Sequence, residues 1–481
     1  MVDVIVIGGG PAGVTAALRA RELGASVALV ERQRLGGTCT NDGCVPTRAL
    51  AKAARLIRDA EQFEQYALVG ERPQVDFPRL LERAQAIVNQ VHNKKQLHDH
   101  LKQSGVMLRT QTGSAYFMDE HTLMLSNGES LHGEKFIIAA GGHARRFTFP
   151  GSEYTLTHSD VWSLTALPRS VAIVGGSATG CQLATILDTF GARVHLLEVA
   201  PTILSREDPL IAQTMAEAFA QREIEIISGI GGVERVEKLD DGLRLWYTRD
   251  EQPHSLDVEA VIMAVGWVGN VESLNLPAAN VRTERSYIIV DDYLRTSNPH
   301  IFAAGDITGR MMLVQSGSYE GRVAAENAVL GPALPYKHLI VPHGGFTDPE
   351  YGSVGLTEAQ ARAEHQVIVA VVPYADVDRA VIDGHPGGYC KLIVSQDNHR
   401  ILGAHVVGEQ AVEIIQLVAA GMAADMWVEH LAELEIAYPT YAAIVGLAAR
   451  QIVRQLGVTP LAPQWRSLGR IHLSEWERSG L

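Results

Sequence analysis

The stretch that decides the fold is VIVIGGGPAGVTAALRARELGASVALVE, residues 4–31. A β-branched apolar run leads into a glycine-rich turn, which is followed by apolar residues at helical spacing and by a second apolar run that ends in Glu31. This order predicts a strand, a tight turn, a helix and a second strand, which is the opening of a βαβ unit.

The turn, GGGPAG at residues 8–13, has the spacing of a dinucleotide-binding fingerprint. Gly8 permits the tight turn, Gly10 lets the backbone approach a pyrophosphate, and Gly13 allows the helix to pack closely on the strand. Glu31 is placed to accept a hydrogen bond from a ribose hydroxyl. A single glycine-rich turn is weak evidence, because an ordinary loop can carry the same residues.

The same pattern occurs a second time in AIVGGSATGCQLATILDTFGARVHLLE, residues 172–198. A constant offset of 167 residues brings Gly8 onto Gly175 and Glu31 onto Glu198. A duplicated turn with an acid at the matching distance is much stronger evidence than one turn alone. The sequence therefore predicts two dinucleotide-binding units in one chain.

Length and composition limit the remaining possibilities. The chain has 481 residues, which predicts two to four domains, and its 46% apolar and 20% charged residues with 45 glycines are typical of an α/β protein. A formal net charge of −14 gives no electrostatic footprint for nucleic acid or an anionic membrane surface. The first apolar run is too short for a signal segment or a membrane span, so we expect a cytoplasmic protein with neither partner.

Two of the four cysteines, Cys39 and Cys44, lie in GGTCTNDGCVPTRAL, residues 36–50. Pro46 and the apolar spacing after it predict a helix that begins near Cys44, where the helix dipole stabilises a thiolate. Positions five apart in a regular helix are roughly 8 to 9 Å apart at Cα, whereas a disulfide needs less than about 7 Å. The segment between the cysteines must therefore be distorted, which Gly43 makes possible.

A close pair of cysteines in a cytosolic chain is more often redox-active or metal-binding than structural. A metal site is disfavoured because no other cysteine or close histidine completes a ligand set, and two idle thiols are the remaining alternative. Cys181 and Cys390 are isolated in apolar runs, so we interpret them as small buried residues without a role.

Together these motifs resemble the flavin-dependent pyridine nucleotide-disulfide oxidoreductases, the family of dihydrolipoamide dehydrogenase, glutathione reductase and mercuric reductase. The resemblance extends to about residue 457. Besides the two turns and the cysteine pair, the matching stretches are IIAAGG at 137–142, AAGD at 303–306 and FTDPEYGSVGLTE at 346–358.

The resemblance implies an α/β fold with two Rossmann-like units, for FAD and for NAD(P), followed by an α+β dimerisation domain. The implied boundaries are 1–150 and 271–338 for the FAD-binding domain, 151–270 for the NAD(P)-binding domain, 339–458 for the dimerisation domain and 459–481 for a C-terminal tail. The implied partners are a second copy of the chain and a small-molecule or metal-ion electron acceptor.

The resemblance also implies roles for single residues. Cys44 would exchange electrons with FAD, Cys39 would meet the substrate, and Tyr438 would act across the dimer. No metal-binding residue is implied. The implied FAD-binding residues are Gly8, Gly10, Pro11, Ala12, Gly13, Glu31, Gly37, Thr38, Arg48, Ala115, Ala140, Gly141 and Asp306, and the implied NAD-binding residues are Gly175, Gly180, Glu198 and Gly266. Glu198 is followed by no basic cluster, which favours NADH over NADPH.

The C-terminal motif YPTYAA, residues 438–443, departs from the family pattern. Thiol-disulfide members carry a histidine and a glutamate that manage protons for the substrate dithiol, and here Tyr438 and Ala443 stand in their places. A tyrosine with a pKa of about 10 is a poor base at neutral pH, so efficient turnover of lipoamide or glutathione is not expected. Mercuric reductases also resemble this chain in that tyrosine, but their C-terminal cysteine pair is missing, since no cysteine follows Cys390.

Further departures fall around the two cofactors. Arg48 stands where the family usually has lysine, and Gln182 stands where a glutamate usually pairs with that lysine, so we expect extra positive charge near the flavin. Ser177 replaces the middle glycine of the second turn, and Ala178 replaces a tyrosine that often covers the nicotinamide face. These two changes indicate weaker nucleotide binding and easier access for oxygen or quinones.

The sequence thus predicts an FAD-dependent NAD(P)H oxidoreductase that passes electrons through the Cys39–Cys44 disulfide to an acceptor needing little proton management, such as a metal ion or a reactive oxidant. Two alternatives stay open. One is a flavin NADH oxidase or quinone reductase in which the thiols are secondary. The other is a redox-sensing FAD-binding dimer that does not turn over.

Overall fold

The fold is described from a computed structural model of residues 2–337 and 340–457. The predicted tail, 459–481, and the predicted boundary between 338 and 339 lie outside these residues. The strands are β1 (Val2–Ile7), β2 (Val27–Glu31), β3 (Met107–Thr110), β4 (Ala115–Phe117), β5 (Thr122–Leu125), β6 (Ser130–Ile138), β7 (Gly142–Ala144), β8 (Ser170–Val174), β9 (Arg193–Glu198), β10 (Glu225–Ser228), β11 (Ile230–Leu239), β12 (Gly242–Arg249), β13 (Gln252–Val258), β14 (Ala260–Met263), β15 (Trp267–Gly269), β16 (Thr283–Glu284), β17 (Tyr287–Ile288), β18 (Ile301–Ala303), β19 (His343–Gly345), β20 (Tyr351–Gly355), β21 (Val367–Pro373), β22 (Tyr389–Ser395) and β23 (Ile401–Val407).

Helices connect and cover these strands. They are α1 (Pro11–Glu22), α2 (Gly37–Asn41), α3 (Cys44–Ala60), α4 (Phe77–Lys95), α5 (Leu97–Gln103), α6 (His158–Val161), α7 (Ala178–Phe190), α8 (Pro209–Gln221), α9 (Val314–Leu330), α10 (Glu358–Glu364), α11 (Asp378–Ile382), α12 (Ala411–Ala423), α13 (Val428–Glu433) and α14 (Ala443–Gln455). Short 3₁₀ turns include Asp306–Thr308, directly after β18.

The first sheet contains the first βαβ opening, β1–α1–β2, as predicted. Its parallel strands run in the order β3-β2-β1-β6-β18, and β4 and β5 extend it by antiparallel pairing with the first half of β6. The second half of β6, Phe136–Ile138, pairs with β18. The chain therefore leaves this sheet after β6 and returns to it at β18, after the second nucleotide-binding unit has been completed.

The second sheet contains the second predicted opening, β8–α7–β9. Its strands are parallel in the order β10-β9-β8-β14, and an antiparallel sheet of β11, β12 and β13 packs beside it. The apolar residues of β8 and β9 are almost fully buried, which explains their near-continuous hydrophobic sequence. β15 then pairs with β7, so the chain passes back toward the first sheet along a two-stranded ribbon.

The third sheet is antiparallel, in the order β19-β20-β23-β22-β21. α12 and α14 bury apolar residues against it, and every residue of β22 is buried. This region follows the predicted change from βαβ units to strands and then helices. The exact domain boundaries stay predictions.

Ion pairs tie the three sheet regions together around the far end of α3. Arg58 of α3 forms ion pairs with Asp348, between β19 and β20, and with Glu409, after β23, the latter at 3.0 Å. Asp348 also accepts a hydrogen bond of 2.6 Å from Arg222, at the end of α8. The helix that begins at Cys44 is thus fixed at its other end to both of the remaining regions.

Candidate active site

The first glycine-rich turn joins β1 to α1 in the shape that the fingerprint predicts. Gly8 has φ +108°, and a Cβ there would lie 2.2 Å from the carbonyl oxygen of Ala139. A Cβ on Gly13 would lie 1.9 Å from the carbonyl oxygen of Gly8, so α1 packs closer to the strand than a side chain permits. At Gly10 the nearest atom to a Cβ is 3.6 Å away, which leaves room for a phosphate to approach the backbone.

Glu31, at the end of β2, faces the same turn. Its Oε2 accepts a hydrogen bond from the backbone N–H of Gly9 (2.7 Å), and its Oε1 accepts one from the N–H of Gln33 (2.8 Å). Each carboxylate oxygen keeps a further lone pair, so Glu31 can still accept from a ribose hydroxyl. The turn and the acid together fit the pyrophosphate and ribose of a dinucleotide.

The start of α1 is held by α9. Pro11 is the first residue of α1, and the carbonyl oxygen of the buried Ala12 lies 2.1 Å from where a Cβ on Gly321 would be. Glu320, the preceding residue of α9, accepts a hydrogen bond of 2.5 Å from the N–H of Gly305 and is fully buried, which raises its pKa to about 7. Burial likewise raises the pKa of Asp306, which follows at the carboxyl end of β18.

The loop after β2 lies on the glycine-rich turn. The N–H of Gly36 donates to the carbonyl oxygen of Gly9 at 2.8 Å. A Cβ on Gly37, which has φ +62°, would lie 2.8 Å from the Cα of Gly10. The segment that carries the cysteines therefore starts directly beside the phosphate-binding turn.

The two cysteines lie in two separate helices, and the helical geometry is interrupted between them, as predicted. Cys39 lies in α2, which ends at Asn41, and α3 begins at Cys44. The carbonyl oxygen of Thr38 accepts a hydrogen bond of 2.7 Å from the N–H of Gly43, which closes the turn between the helices. The backbone geometry thus brings two thiols together that a continuous helix would keep apart.

Both thiols are free, with Cys44 exposed and Cys39 half-buried. A hydrogen bond from Cys39, together with the N–H at the start of α3, lowers the pKa of Cys44 to about 7 against the opposing effect of burial. The same hydrogen bond and burial raise the pKa of Cys39. The Lys95 ammonium group lowers both pKa values, and Asp306 raises them. These contacts favour the thiolate form at Cys44 over Cys39, and the order in which the thiols face FAD stays a prediction.

Three further predicted residues lie near the first sheet and the ribbon. Ala115 is buried at the start of β4. The carbonyl oxygen of Ala140 accepts from the Nδ2 of Asn270 at 2.7 Å, and that of Gly141 accepts from the N–H of Asn270 at 3.0 Å. Asn270 was not predicted as a site residue from the sequence, yet its side chain and its backbone N–H both bind the loop between β6 and β7.

The second glycine-rich turn repeats the geometry of the first. Gly175 has φ +110°, and a Cβ on Gly180 would lie 1.8 Å from the carbonyl oxygen of Gly175. Glu198 accepts hydrogen bonds from the N–H groups of Gly176 (2.5 Å) and Ala200 (2.8 Å), as Glu31 does in the first unit. The second turn therefore has the backbone needed to bind a nicotinamide nucleotide.

Ser177 does not disturb this turn. Its φ and ψ are −85° and −173°, close to the −78° and −176° of Gly10, and this is extended backbone that any residue adopts. Gly266 has φ +102°, and a Cβ there would have no atom within 4 Å, so only its backbone angle favours glycine.

The comparisons with known proteins agree with this geometry. The family model for pyridine nucleotide-disulphide oxidoreductases matches residues 2–321, and the model for the dimerisation domain of the same family matches residues 341–449. The chain belongs to this family.

Individual relatives of this oxidoreductase carry two different activities in their names. The chain is 32% identical over 453 residues to the dihydrolipoyl dehydrogenase of Geobacillus stearothermophilus, covering 93% of this chain and 95% of the relative. It is 30% identical over 451 residues to the mercuric reductase of Lysinibacillus sphaericus, covering 93% of this chain and 82% of the relative. The family is established by these matches, and the acceptor is not.

Among solved structures, the oxidoreductase resembles the HOCl-induced flavoprotein disulfide reductase RclA from Escherichia coli, with a TM-score of 0.82, 27% identity and coverage of 94% of this chain and 100% of that chain. A Cu(II) complex of RclA gives a TM-score of 0.83 at the same identity, with coverage of 94% and 99%. FAD is the flavin expected for this family, and the residues of the first turn fit it. Within residues 2–337 and 340–457, no helix has the length and apolar character to span a membrane.

The expectation of unbalanced positive charge at Arg48 is wrong. Arg48 of the oxidoreductase forms an ion pair of 2.7 Å with Glu350 and lies over the ring of Phe346, 4.5 Å from its centroid. Gln182 instead accepts a hydrogen bond of 3.2 Å from the N–H of Phe346. The carboxylate that the sequence lacks at position 182 is supplied from Glu350, so the guanidinium charge is neutralised.

Tyr438 lies in the third region, after α13. Its hydroxyl donates a hydrogen bond of 2.5 Å to Asp378 of α11, and its side chain is 56% exposed. Because the structure holds one chain, its placement opposite the cysteines of a second chain stays a prediction.

Several side chains at the site were not predicted from the sequence, and they share one property. Each makes its contact through a partner far away in the chain, so no local pattern marks it: Lys95, Asn270, Glu320 and Glu350. Cys181 and Cys390, in contrast, are fully buried as expected.

Proposed function

We propose that this oxidoreductase takes electrons from NADH, passes them through FAD to the Cys39–Cys44 pair, and delivers them from Cys39 to a metal ion or a reactive oxidant. The observation that carries this proposal is the pair of cysteines at the break between α2 and α3, with Cys44 at the start of α3, in a segment packed on the first nucleotide turn. When bound, FAD supplies the two-electron chemistry between the nicotinamide and the thiols.

Groups of the chain itself set the protonation of the two thiols. The hydrogen bond from Cys39 and the N–H at the start of α3 lower the pKa of Cys44 to about 7, so about half of this thiol is ionised at neutral pH. Cys39 keeps its proton until it reacts. Oxidation of the thiolate–thiol pair to the disulfide releases two electrons and the one proton of Cys39, so one pair reduces two Cu(II) ions to Cu(I) or one two-electron oxidant.

Metal ions and oxidants fit this site better than a disulfide substrate. A disulfide must be protonated on both sulfurs as it is reduced, whereas Cu(II) needs electrons only. The Tyr438 hydroxyl is engaged in a hydrogen bond to the Asp378 carboxylate, and this position carries no histidine to transfer protons to a disulfide substrate. Support for this acceptor class also comes from RclA, which is described as HOCl-induced and has been solved as a Cu(II) complex.

NADH is proposed as the preferred nucleotide. Glu198 is fixed at the second turn by two backbone N–H groups and presents a carboxylate where the adenosine ribose would lie. A 2′-phosphate at that position would face this negative charge. The 2′-hydroxyl of NADH can donate to it.

A homodimer is proposed as the working form. Residues 341–449 match the dimerisation domain of the family, and this region exposes large apolar side chains in Val381 and Ile382, which are 60% and 55% exposed. A second copy of the chain that packs on this region would remove these apolar side chains from water. Sedimentation of the full chain should give the mass of two copies.

The experiment is an anaerobic acceptor screen of the FAD-loaded protein with NADH and with NADPH. The acceptors are Cu(II), Hg(II), lipoamide, oxidised glutathione, a quinone, and oxygen in a separate aerobic arm. We expect Cu(II) reduction with NADH and a loss of at least about a hundredfold in C39S and C44S. Cys390→Ala, which removes a buried thiol outside the site, is the control and should keep the activity.

Other outcomes would overturn the proposal. Full turnover with oxygen or a quinone in the C39S/C44S double variant would show a flavin oxidase or quinone reductase. Failure of both nucleotides to reduce the bound flavin would show a protein that binds FAD without turning over. Rapid reduction of lipoamide would show that Tyr438 does not limit proton transfer.

A further inference from the structure

The last turn of α4 lies against the helix that carries Cys39. The Nζ of Lys95 donates a hydrogen bond of 2.9 Å to the Oγ1 of Thr40, which is fully buried and adjacent to Cys39 in the chain. One turn earlier, His92 is hydrogen-bonded through Nε2 to the Oδ1 of Asn41 at 2.6 Å. Two successive residues of the cysteine segment are therefore each held by a side chain of α4.

The side chain of Asn41 contacts its own segment of the chain as well as His92 of α4. Its Nδ2 donates to the carbonyl oxygens of Gly37 (3.0 Å) and Leu35 (3.3 Å), so the amide joins the loop after β2 to α4. Burial and the nearby cations Arg34 and Lys95 lower the pKa of His92, which keeps its ring neutral at pH 7. Of the two α4 side chains that contact the cysteine segment, Lys95 therefore carries the positive charge.

Among the described residues, two charges of opposite sign act on both thiols, and they come from two elements. Lys95 projects from the end of α4, and Asp306 projects from the turn after β18. Asp42, between the two cysteines in sequence, is occupied by a hydrogen bond of 2.6 Å from Ser159 and by His158 at 3.5 Å. The positive charge of Lys95 therefore opposes the negative charge of Asp306 in its effect on Cys39 and Cys44.

We propose that Lys95 is a positioning residue of the reactive dithiol, whose ammonium group, anchored on Thr40, favours the thiolate of Cys44 while the same contact fixes the helix of Cys39. This inference rests on the proposed role of Cys39 and Cys44 as the redox pair. It adds a cation from α4 that lies outside every motif identified in the sequence.

A purely structural role is the alternative. A lysine in the last turn of a helix stabilises the helix through the dipole, and Lys94 has the same position and charge. Lys94 is exposed and, in the part of the chain that the structure describes, has no hydrogen bond to the cysteine segment. A comparison of the two neighbouring lysines therefore separates an effect on the thiols from an effect on the helix.

The test measures the rate of alkylation of Cys44 by iodoacetamide against pH in the FAD-loaded full chain. The dithiol is first reduced with a phosphine, and the modified peptide is quantified by mass spectrometry. We expect the wild-type rate to rise with a midpoint near pH 7. In K95M the midpoint should move up by a few tenths of a unit, so that alkylation below the midpoint is about twofold slower.

Three matched measurements make the result specific. K95R keeps the charge and should restore the profile, and K94M should leave it unchanged. Thr40→Val removes the anchor but not the charge, so it should produce a smaller shift in the same direction as K95M. Raising the ionic strength should reduce the difference between wild type and K95M, because the ammonium group is partly exposed and screened by salt.

Each outcome decides the inference. A K95M profile that coincides with wild type overturns it, and so does an equal shift in K94M, which would show a general effect of the helix end. If K95M fails to retain FAD, the shift in T40V against the unchanged profile of K94M still decides it. Because a chemical reductant prepares the dithiol, absent acceptor turnover would contradict the proposed function without changing this readout.

Discussion

The two glycine-rich turns of this oxidoreductase have the same backbone and different middle residues. Gly8 and Gly175 differ in φ by only two degrees, at +108° and +110°. In each turn, a Cβ on the glycine five residues later, Gly13 or Gly180, would collide with the carbonyl oxygen of that first glycine. Between these fixed points, Gly10 in the first turn corresponds to Ser177 in the second. The outer glycines thus determine the shape of the turn, and the middle position determines how closely a ligand can approach it.

The largest effect should follow from filling the third glycine position. Gly13→Ala and Gly180→Ala each place a Cβ within 2 Å of a backbone oxygen, which we expect to cost about 3 kcal/mol or more. G13A should lose FAD and melt at lower temperature. G180A should retain FAD but lose reduction by NADH, as measured by flavin absorbance and thermal unfolding.

Glycines at the ends of the two helices provide matched controls. A Cβ on Gly24 or Gly191 would have no atom within 4 Å, so alanine there should cost only about 1 to 2 kcal/mol for the positive φ. If G24A destabilised the protein as much as G13A, close packing of the helix on the turn would not be the reason.

An intermediate effect should come from exchanging the middle residues. Gly10→Ser meets only ordinary contacts, so the chain should fold, but its hydroxyl would project toward the approaching pyrophosphate and weaken FAD binding by about tenfold. Ser177→Gly should lower the KM for NADH by a similar factor or less. Dissociation constants for FAD and steady-state kinetics with NADH measure these changes, and unchanged values in both variants would contradict the assigned role of this position.

The smallest effect should come from the acids that end β2 and β9. Glu198→Gln keeps one acceptor for the backbone N–H groups but removes the negative charge, so the ratio of kcat/KM for NADH to that for NADPH should fall by about threefold to tenfold. Glu31→Gln is the matched variant in the first turn and should leave this ratio unchanged. A constant ratio in E198Q would mean that another group selects the nucleotide.

Sequence patterns predicted the parts of this molecule that short stretches of chain determine. Both βαβ openings, the break between Cys39 and Cys44, and the start of α3 at Cys44 were confirmed, because each depends on glycines and on apolar spacing within a few residues. The family followed from the order of several such stretches.

Pairings across the fold could not be predicted in the same way. The charge of Arg48 was expected to be unbalanced because Gln182 replaced the usual acid. Glu350, in the loop between β19 and β20, nevertheless forms an ion pair with it. Lys95 reaches Thr40 only because α4 returns along the cysteine segment. Such contacts depend on how helices and sheets pack, and the sequence near either residue carries no periodic signal for them.

The ion pairs at the end of α3 make this helix a mechanical link. Its 17 residues span about 25 Å, from Cys44 at one end to Arg58 near the other. Asp348 joins Arg58 to Arg222 at the end of α8, so the far end of this helix is held to the second nucleotide-binding region as well as to the third sheet. The helix thereby connects the cysteine at its start to the second and third regions at its end.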